Sequence, residues 1–270
     1  MSAVIKFFLI TFGFSWLFWL PAVVAGKDVT ASWWGVAWLM GGFGPSLVGL
    51  LLAARSEGRR ELRDLWQRTI QPRRLTAGWV AFILLVIPVI SAASAGAAAL
   101  FGWQQASFQG LQLVLANPAL LIGMVFGGLI AGPISEELGW RGYALEKLQL
   151  DYSPARSTWL LAFVWWTWHI PLFFMEGTTQ AGWGFFSMDS LFFFITIFPL
   201  SFIFTWVYNS TGRSVLGAIL LHFGFNFTLG LVLPASADFD IVRIVLMTLV
   251  AWGMARFTSP PADAPVPGLG

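Results

Sequence analysis

Apolar positions are gathered into eight long runs, at residues 4–25, 33–54, 77–101, 118–139, 157–175, 191–208, 214–233 and 241–257. Each approaches the roughly 20 residues that a helix needs to cross a bilayer. The two-residue alternation of outer-membrane strands is absent, so the runs are predicted helices. The expected fold is all-α, a polytopic membrane protein of about eight transmembrane helices enclosing a polar cavity. Residues 1–257 read as a single transmembrane domain with a motif-bearing core at 118–233. The tail at 258–270 is rich in proline, lacks apolar periodicity and reads as disordered. The first run is long enough to be a span rather than a cleaved signal.

The polar breaks between runs suggest an orientation. The connection "RSEGRRELRDLWQRTIQPRRL" carries seven arginines against three acids, which assigns it to the cytoplasm and predicts that both termini lie there too. Within it, "ELRDLWQRTI" has helical spacing suited to lying along the membrane surface. Three connections assigned to the far side, "GWQQASFQGLQLVLAN", "EGTTQAGWGFFSM" and "PASADFD", contain no lysine or arginine. The plasma membrane of a prokaryote is the expected location, with membrane lipid as a partner. Composition agrees: 57% of residues are hydrophobic and 10% charged, and the net charge of +2 reports topology rather than nucleic-acid binding. With no cysteine, disulfides and thiol nucleophiles are excluded.

Against this background the fourth run ends in "PISEELGWRGYAL". A charge at the bilayer centre costs about 2.5 to 3.5 kcal/mol on insertion scales, so Glu136, Glu137 and Arg141 must be paired, hydrated or at a boundary. Glu137 and Arg141 are one helical turn apart in the favoured order for an ion pair, while Glu136 points about 100° away. The spacing gives Glu137 and Arg141 a supporting role and leaves Glu136 for chemistry. Gly123, Gly127, Gly128 and Gly132 precede them at overlapping four-residue spacings, predicting a smooth face for close helix contact inside the bundle. Gly132-Pro133 is expected to loosen the helix just before the glutamates.

The chain has two histidines, His169 in "AFVWWTWHIPLFF" and His222 in "GAILLHFGFNFTLG", with Asn226 one turn after the second. The helical rise puts both in the inner half of the bilayer, beside Glu136, in a cavity expected to open to the cytoplasm. Such a set supports peptide-bond hydrolysis. Glu136 would act as general base, His169 would hold the water with it, and His222 and Asn226 would donate to the oxyanion. The histidines are too far apart for an H-E-x-x-H zinc enzyme, and no G-x-S-x-G string occurs. No cofactor is required by this reading. Glu136, His169 and His222 are nonetheless acceptable ligands for a divalent metal such as zinc.

These residues resemble the CAAX-prenyl endopeptidase and bacteriocin-processing (CPBP, or Abi) family of intramembrane proteases. "EELGWR" is similar to its E-E-x-x-x-R motif, "WWTWH" to aromatic-x-x-x-H, and "HFGFN" to H-x-x-x-N/B. Trp165 stands where the second motif usually has phenylalanine. The resemblance implies eight helices, a peptide or lipidated protein substrate, and the same division of roles among Glu136, His169, His222 and Asn226. Some members have been called metalloproteases, so a metal stays open. A non-catalytic scaffold or immunity factor would keep such a cavity without turnover, and a proton-coupled transporter would use Glu136 and the histidines as a relay.

Overall fold

The computed structural model describes residues 2–30, 33–56, 58–104, 106–232 and 236–255. The tail at 258–270 and the end of the eighth run lie outside them. The described residues are helical with no strand, and the chain is an integral membrane protein. In chain order the helices are α1 (Ala3–Ala25), α2 (Trp34–Gly42), α3 (Gly44–Ser56), α4 (Arg59–Ile70), α5 (Ala77–Leu100), α6 (Gln109–Ala116), α7 (Leu120–Leu129), α8 (Ser135–Gly139), α9 (Glu146–Asp151), α10 (Pro154–Trp168), α11 (Thr179–Trp183), α12 (Met188–Ser210), α13 (Val215–Val232) and α14 (Ala237–Ala255). Among them, five helical stretches, one of them the interrupted Leu120–Asp151, are long and apolar enough to cross a membrane, and a sixth span is made if α2 and α3, bent by 45°, are taken together. The other two runs are weaker as spans for visible reasons. Helix α10 has only 15 residues before a 3-10 turn at Ile170–Phe174, and α14 carries Asp238, Asp240 and Arg243.

Helices α12 and α13 form the interior, with more than half of each span buried, against about a quarter for α1 and α5. α12 packs on α10 and α14, while α13 packs on α5 and leans on α8. Backbone contact between α3 and α8 closes the other side. A Cβ on Gly139 would lie 2.1 Å from the Pro45 carbonyl oxygen, and one on Gly49 would lie 3.0 Å from the Gly139 Cα. Only glycine permits this approach, as at other tightly packed membrane helix pairs.

The cytoplasm-assigned end is closed by an ionic lid. Helix α4 is amphipathic, and its Trp66 and Ile70 are exposed. One of the seven arginines of the cytoplasm-assigned connection turns inward: Arg68 is buried. It pairs with Asp64 at 2.7 Å and Glu146 at 2.8 Å, and donates to the Tyr208 hydroxyl at 2.8 Å. It also donates to the Gly142 carbonyl at 3.2 Å, within the π-helical segment Trp140–Leu145. Burial opposes its charge, but Tyr208, Glu146 and Asp64 outweigh it and hold the guanidinium pKa above the usual arginine value. Arg213 joins Glu146 at 2.9 Å, and Lys147 joins Glu61 at 2.7 Å.

The expected packing of the glycine face is not found. A Cβ on Gly123 or Gly127 would meet nothing within 4 Å, and one on Gly128 would meet Phe223 at 3.5 Å; Gly132 alone of the four faces closely approaching groups, and these belong to the site rather than to a packed helix face. Helix α7 has no buried residue and rests on α13 and α6. The backbone break below it explains this, since it frees α7 from the line that α8 follows into the bundle.

Replacing Gly139 by alanine is expected to destabilise the protein by about 1 to 3 kcal/mol, because backbone rather than a mobile side chain must give way. Thermal unfolding in detergent, followed by tryptophan fluorescence, measures this; an unchanged melting temperature would contradict the packing described.

Candidate active site

The fourth hydrophobic run is broken where the sequence suggests loosening. Within the π-helical turn Ile130–Ile134, Ala131 (φ −85°, ψ 89°) and Gly132 (φ 119°, ψ −85°) leave helical geometry. A φ of 119° is open to glycine and strained for other residues. The interrupted backbone is satisfied locally: the Gly132 amide donates to the Ser135 hydroxyl at 3.0 Å, that hydroxyl donates to the Gly132 carbonyl at 3.1 Å, and Ser46 donates to the Ile134 carbonyl at 2.9 Å. Irregular backbone at membrane depth survives where protein groups complete its hydrogen bonds.

The break starts α8 inside the bundle, so that Glu136 and Glu137 are both buried. Arg141 Nη1 donates to Glu137 at 2.9 and 3.1 Å, the pair expected from their spacing. Its guanidinium lies between the rings of Trp165 (4.4 Å) and Phe204 (3.9 Å). Those π faces cover the Nε and Nη2 groups, which have no hydrogen-bond partner. Glu137 Oε1 also lies 2.7 Å from His222 Nδ1. A carboxylate only accepts, so Nδ1 carries the proton, and Nε2 of the neutral ring presents a lone pair. His169 Nδ1 lies 2.7 Å from the Trp165 carbonyl, and the same logic leaves its Nε2 unprotonated in the neutral ring. Glu136 is not free of partners: Oε2 accepts from Trp165 Nε1 at 2.7 Å.

The four residues singled out from the sequence line one cavity of about 640 Å³. Three of them surround the bare face of Gly132. A methyl group built there would lie 3.0 Å from Asn226 Nδ2, 3.4 Å from His222 Nε2 and 3.7 Å from Glu136 Oε1. His169 joins the wall between Trp168 (ring centroids 4.9 Å apart) and Phe193 (5.3 Å). The remaining wall is mostly aromatic and aliphatic, including Trp19, Trp38, Leu39 and Leu172.

The direction of the cavity differs from expectation. Below the glutamates Trp140, Tyr143 and Leu145 are buried and the α4 lid covers them. The cavity extends the other way, to Thr30, Gly35, Thr179, Gln180 and Trp183, on segments that the arginine count assigns to the far side. Depth along each helix locates the polar groups but does not say which end the aromatic residues fill.

Among the described residues, no three of histidine, cysteine, aspartate and glutamate are grouped to hold a metal ion. Glu137, the acid nearest His222, is already engaged by Arg141. The donor set thus does not fit the three protein ligands of a catalytic zinc site.

Residues 117–228 match the family described as type II CAAX prenyl endopeptidase Rce1-like. A CAAX prenyl protease 2 of Methanococcus maripaludis is 28% identical over 251 residues, covering 91% of this chain and 90% of its own length. The motif-bearing core is therefore similar to the Rce1-like family. Both comparisons indicate a protease embedded in the membrane, and the Rce1-like region coincides with the broken span, both histidines and Asn226. Sequence reasoning did not foresee the Glu137–His222 bond or the Trp165 donor, because helical spacing reports neighbours on one helix and not across helices.

Within this core, Glu137→Ala is expected to cost about 3 to 5 kcal/mol of stability by stranding the buried Arg141. Adding Arg141→Met should recover much of that loss. Melting temperatures of the single and double variants check this; strictly additive losses would contradict the pairing.

Proposed function

We propose that the chain is an intramembrane endopeptidase that hydrolyses a peptide bond of a prenylated or otherwise lipidated membrane substrate with a water activated by Glu136 and His169. The observation that carries this reading is the convergence of Glu136 Oε1, His222 Nε2 and Asn226 Nδ2 on the open face of Gly132 inside an apolar cavity. Glu136 takes a proton as the water oxygen bonds to the carbonyl carbon. The same proton passes to the amide nitrogen as the C–N bond breaks. His169 Nε2, kept as an acceptor by the Trp165 carbonyl, orients the attacking water.

Asn226 Nδ2 donates to the developing oxyanion, and His222 does so from Nε2 as an imidazolium. In that form Nδ1 still donates to Glu137 Oε1, 2.7 Å away. The aromatic walls suit a lipid chain beside the scissile peptide. No step is routed through a metal. The M. maripaludis relative, by its name a CAAX prenyl protease, supports this class of substrate.

Detergent-purified protein should cleave a fluorogenic peptide ending in a prenylated CAAX sequence. Glu136→Ala should lower kcat at least a hundredfold with the fold retained, while exhaustive chelation leaves the wild-type rate unchanged. Full activity in Glu136→Ala overturns the mechanism. Loss on chelation with rescue by zinc overturns its metal-free form.

We further propose that both termini are cytoplasmic and that the substrate reaches the site from the opposite side or sideways from the lipid. Support comes from the arginine-rich connection and the position of the cavity rim. The chain has no cysteine, so single introduced cysteines report accessibility directly. In intact cells an impermeant maleimide should label Thr179→Cys, and label Arg63→Cys only after permeabilisation. The reverse pattern would overturn the orientation.

A further inference from the structure

Trp165 touches four ionisable groups of the site, Glu136, His169, Arg141 and His222. Its indole N–H donates to Glu136 Oε2, its carbonyl accepts from His169 Nδ1, its ring faces Arg141, and its edge meets His222 with centroids 5.6 Å apart. The carbonyl contact would survive any side chain, and an aromatic face for Arg141 would survive phenylalanine. The N–H contact requires tryptophan.

That contact is not simply what burial demands of an indole. In the same core the Nε1 groups of Trp140, Trp166 and Trp168 have no hydrogen-bond partner, and Trp16 and Trp19 donate to backbone carbonyls. At Trp165 the acceptor is the carboxylate that borders the cavity. Binding one oxygen of Glu136 stops the group from rotating and leaves the other oxygen, Oε1, toward Gly132, His222 and Asn226. A carboxylate with two free oxygens would sample several orientations, and a reacting group misplaced by about 1 Å loses much of its rate advantage.

We propose that Trp165 is a positioning residue for the hydrolysis: its indole N–H fixes Glu136 Oε2 and aims Oε1 at the attacking water. This rests on the hydrolytic reading above. It also gives a chemical meaning to tryptophan at this place in "WWTWH", since phenylalanine supplies the ring without the donor.

The test uses the full chain in detergent with the prenylated CAAX reporter. Trp165→Phe removes the donor and some volume. Substitution of Trp165 by 3-benzothienylalanine, whose ring replaces N–H by sulfur, removes the donor and keeps the shape. Both should retain the wild-type melting temperature within a few degrees. Each should lower kcat about tenfold or more, the range for a hydrogen bond to a charged group, with KM changed less than about twofold. An undiminished kcat in the benzothienyl variant overturns the role of Trp165, as does a loss that falls on KM or on thermal stability instead. Glu136→Ala is measured alongside. If it retains cleavage, the hydrolytic reading fails and this inference with it; if it is inactive while the benzothienyl variant is fully active, only the inference fails.

Discussion

The site depends on one carboxylate that does not border the cavity. Glu137 is fully buried, accepts from Arg141 at two distances near 3 Å and holds His222 Nδ1 at 2.7 Å. Taking such a charge out of water costs several kcal/mol unless other groups replace its hydration. Here a guanidinium and an imidazole do so, from the same helical run and from α13. The carboxylate thereby ties α8 to α13 and fixes which nitrogen of His222 is presented to the cavity. Arg141 is in turn clamped by Trp165 of α10 and Phe204 of α12, so four elements meet on one ion pair.

Above that anchor the backbone is deliberately irregular. The break at Ala131 and Gly132 makes room where a side chain would otherwise stand, and Ser135 and Ser46 make it affordable by completing its hydrogen bonds. Below it, the π-helical turn exposes the Gly142 carbonyl to Arg68 of α4. The surface helix is thus bonded to the segment that carries the glutamates. Irregular turns on both sides of α8 are what allow five residues to present two carboxylates inward.

Much of this was legible in the sequence. Charges in an apolar run had to be paired, and the i,i+4 spacing named Glu137 and Arg141 as the pair. The glycine-proline step located the break, and two histidines with an asparagine one turn on pointed to the cavity wall. What spacing along single helices does not encode is the third dimension. It gave no means of seeing that Glu137 reaches His222, that Trp165 reaches Glu136, or that Trp140 and Tyr143 fill the cytoplasm-assigned end. The glycine face of α7 misled for the same reason: small residues permit close packing but do not supply the neighbour.

The exposed position of α7 bears on the cavity next to it. A helix with no buried residue is positioned by the few neighbours it touches, here α13 and α6. α7 leads directly into Ala131 and Gly132 of the cavity wall, so this exposed helix and the pocket share one backbone segment, while the paired Glu137 and Arg141 lie beyond it.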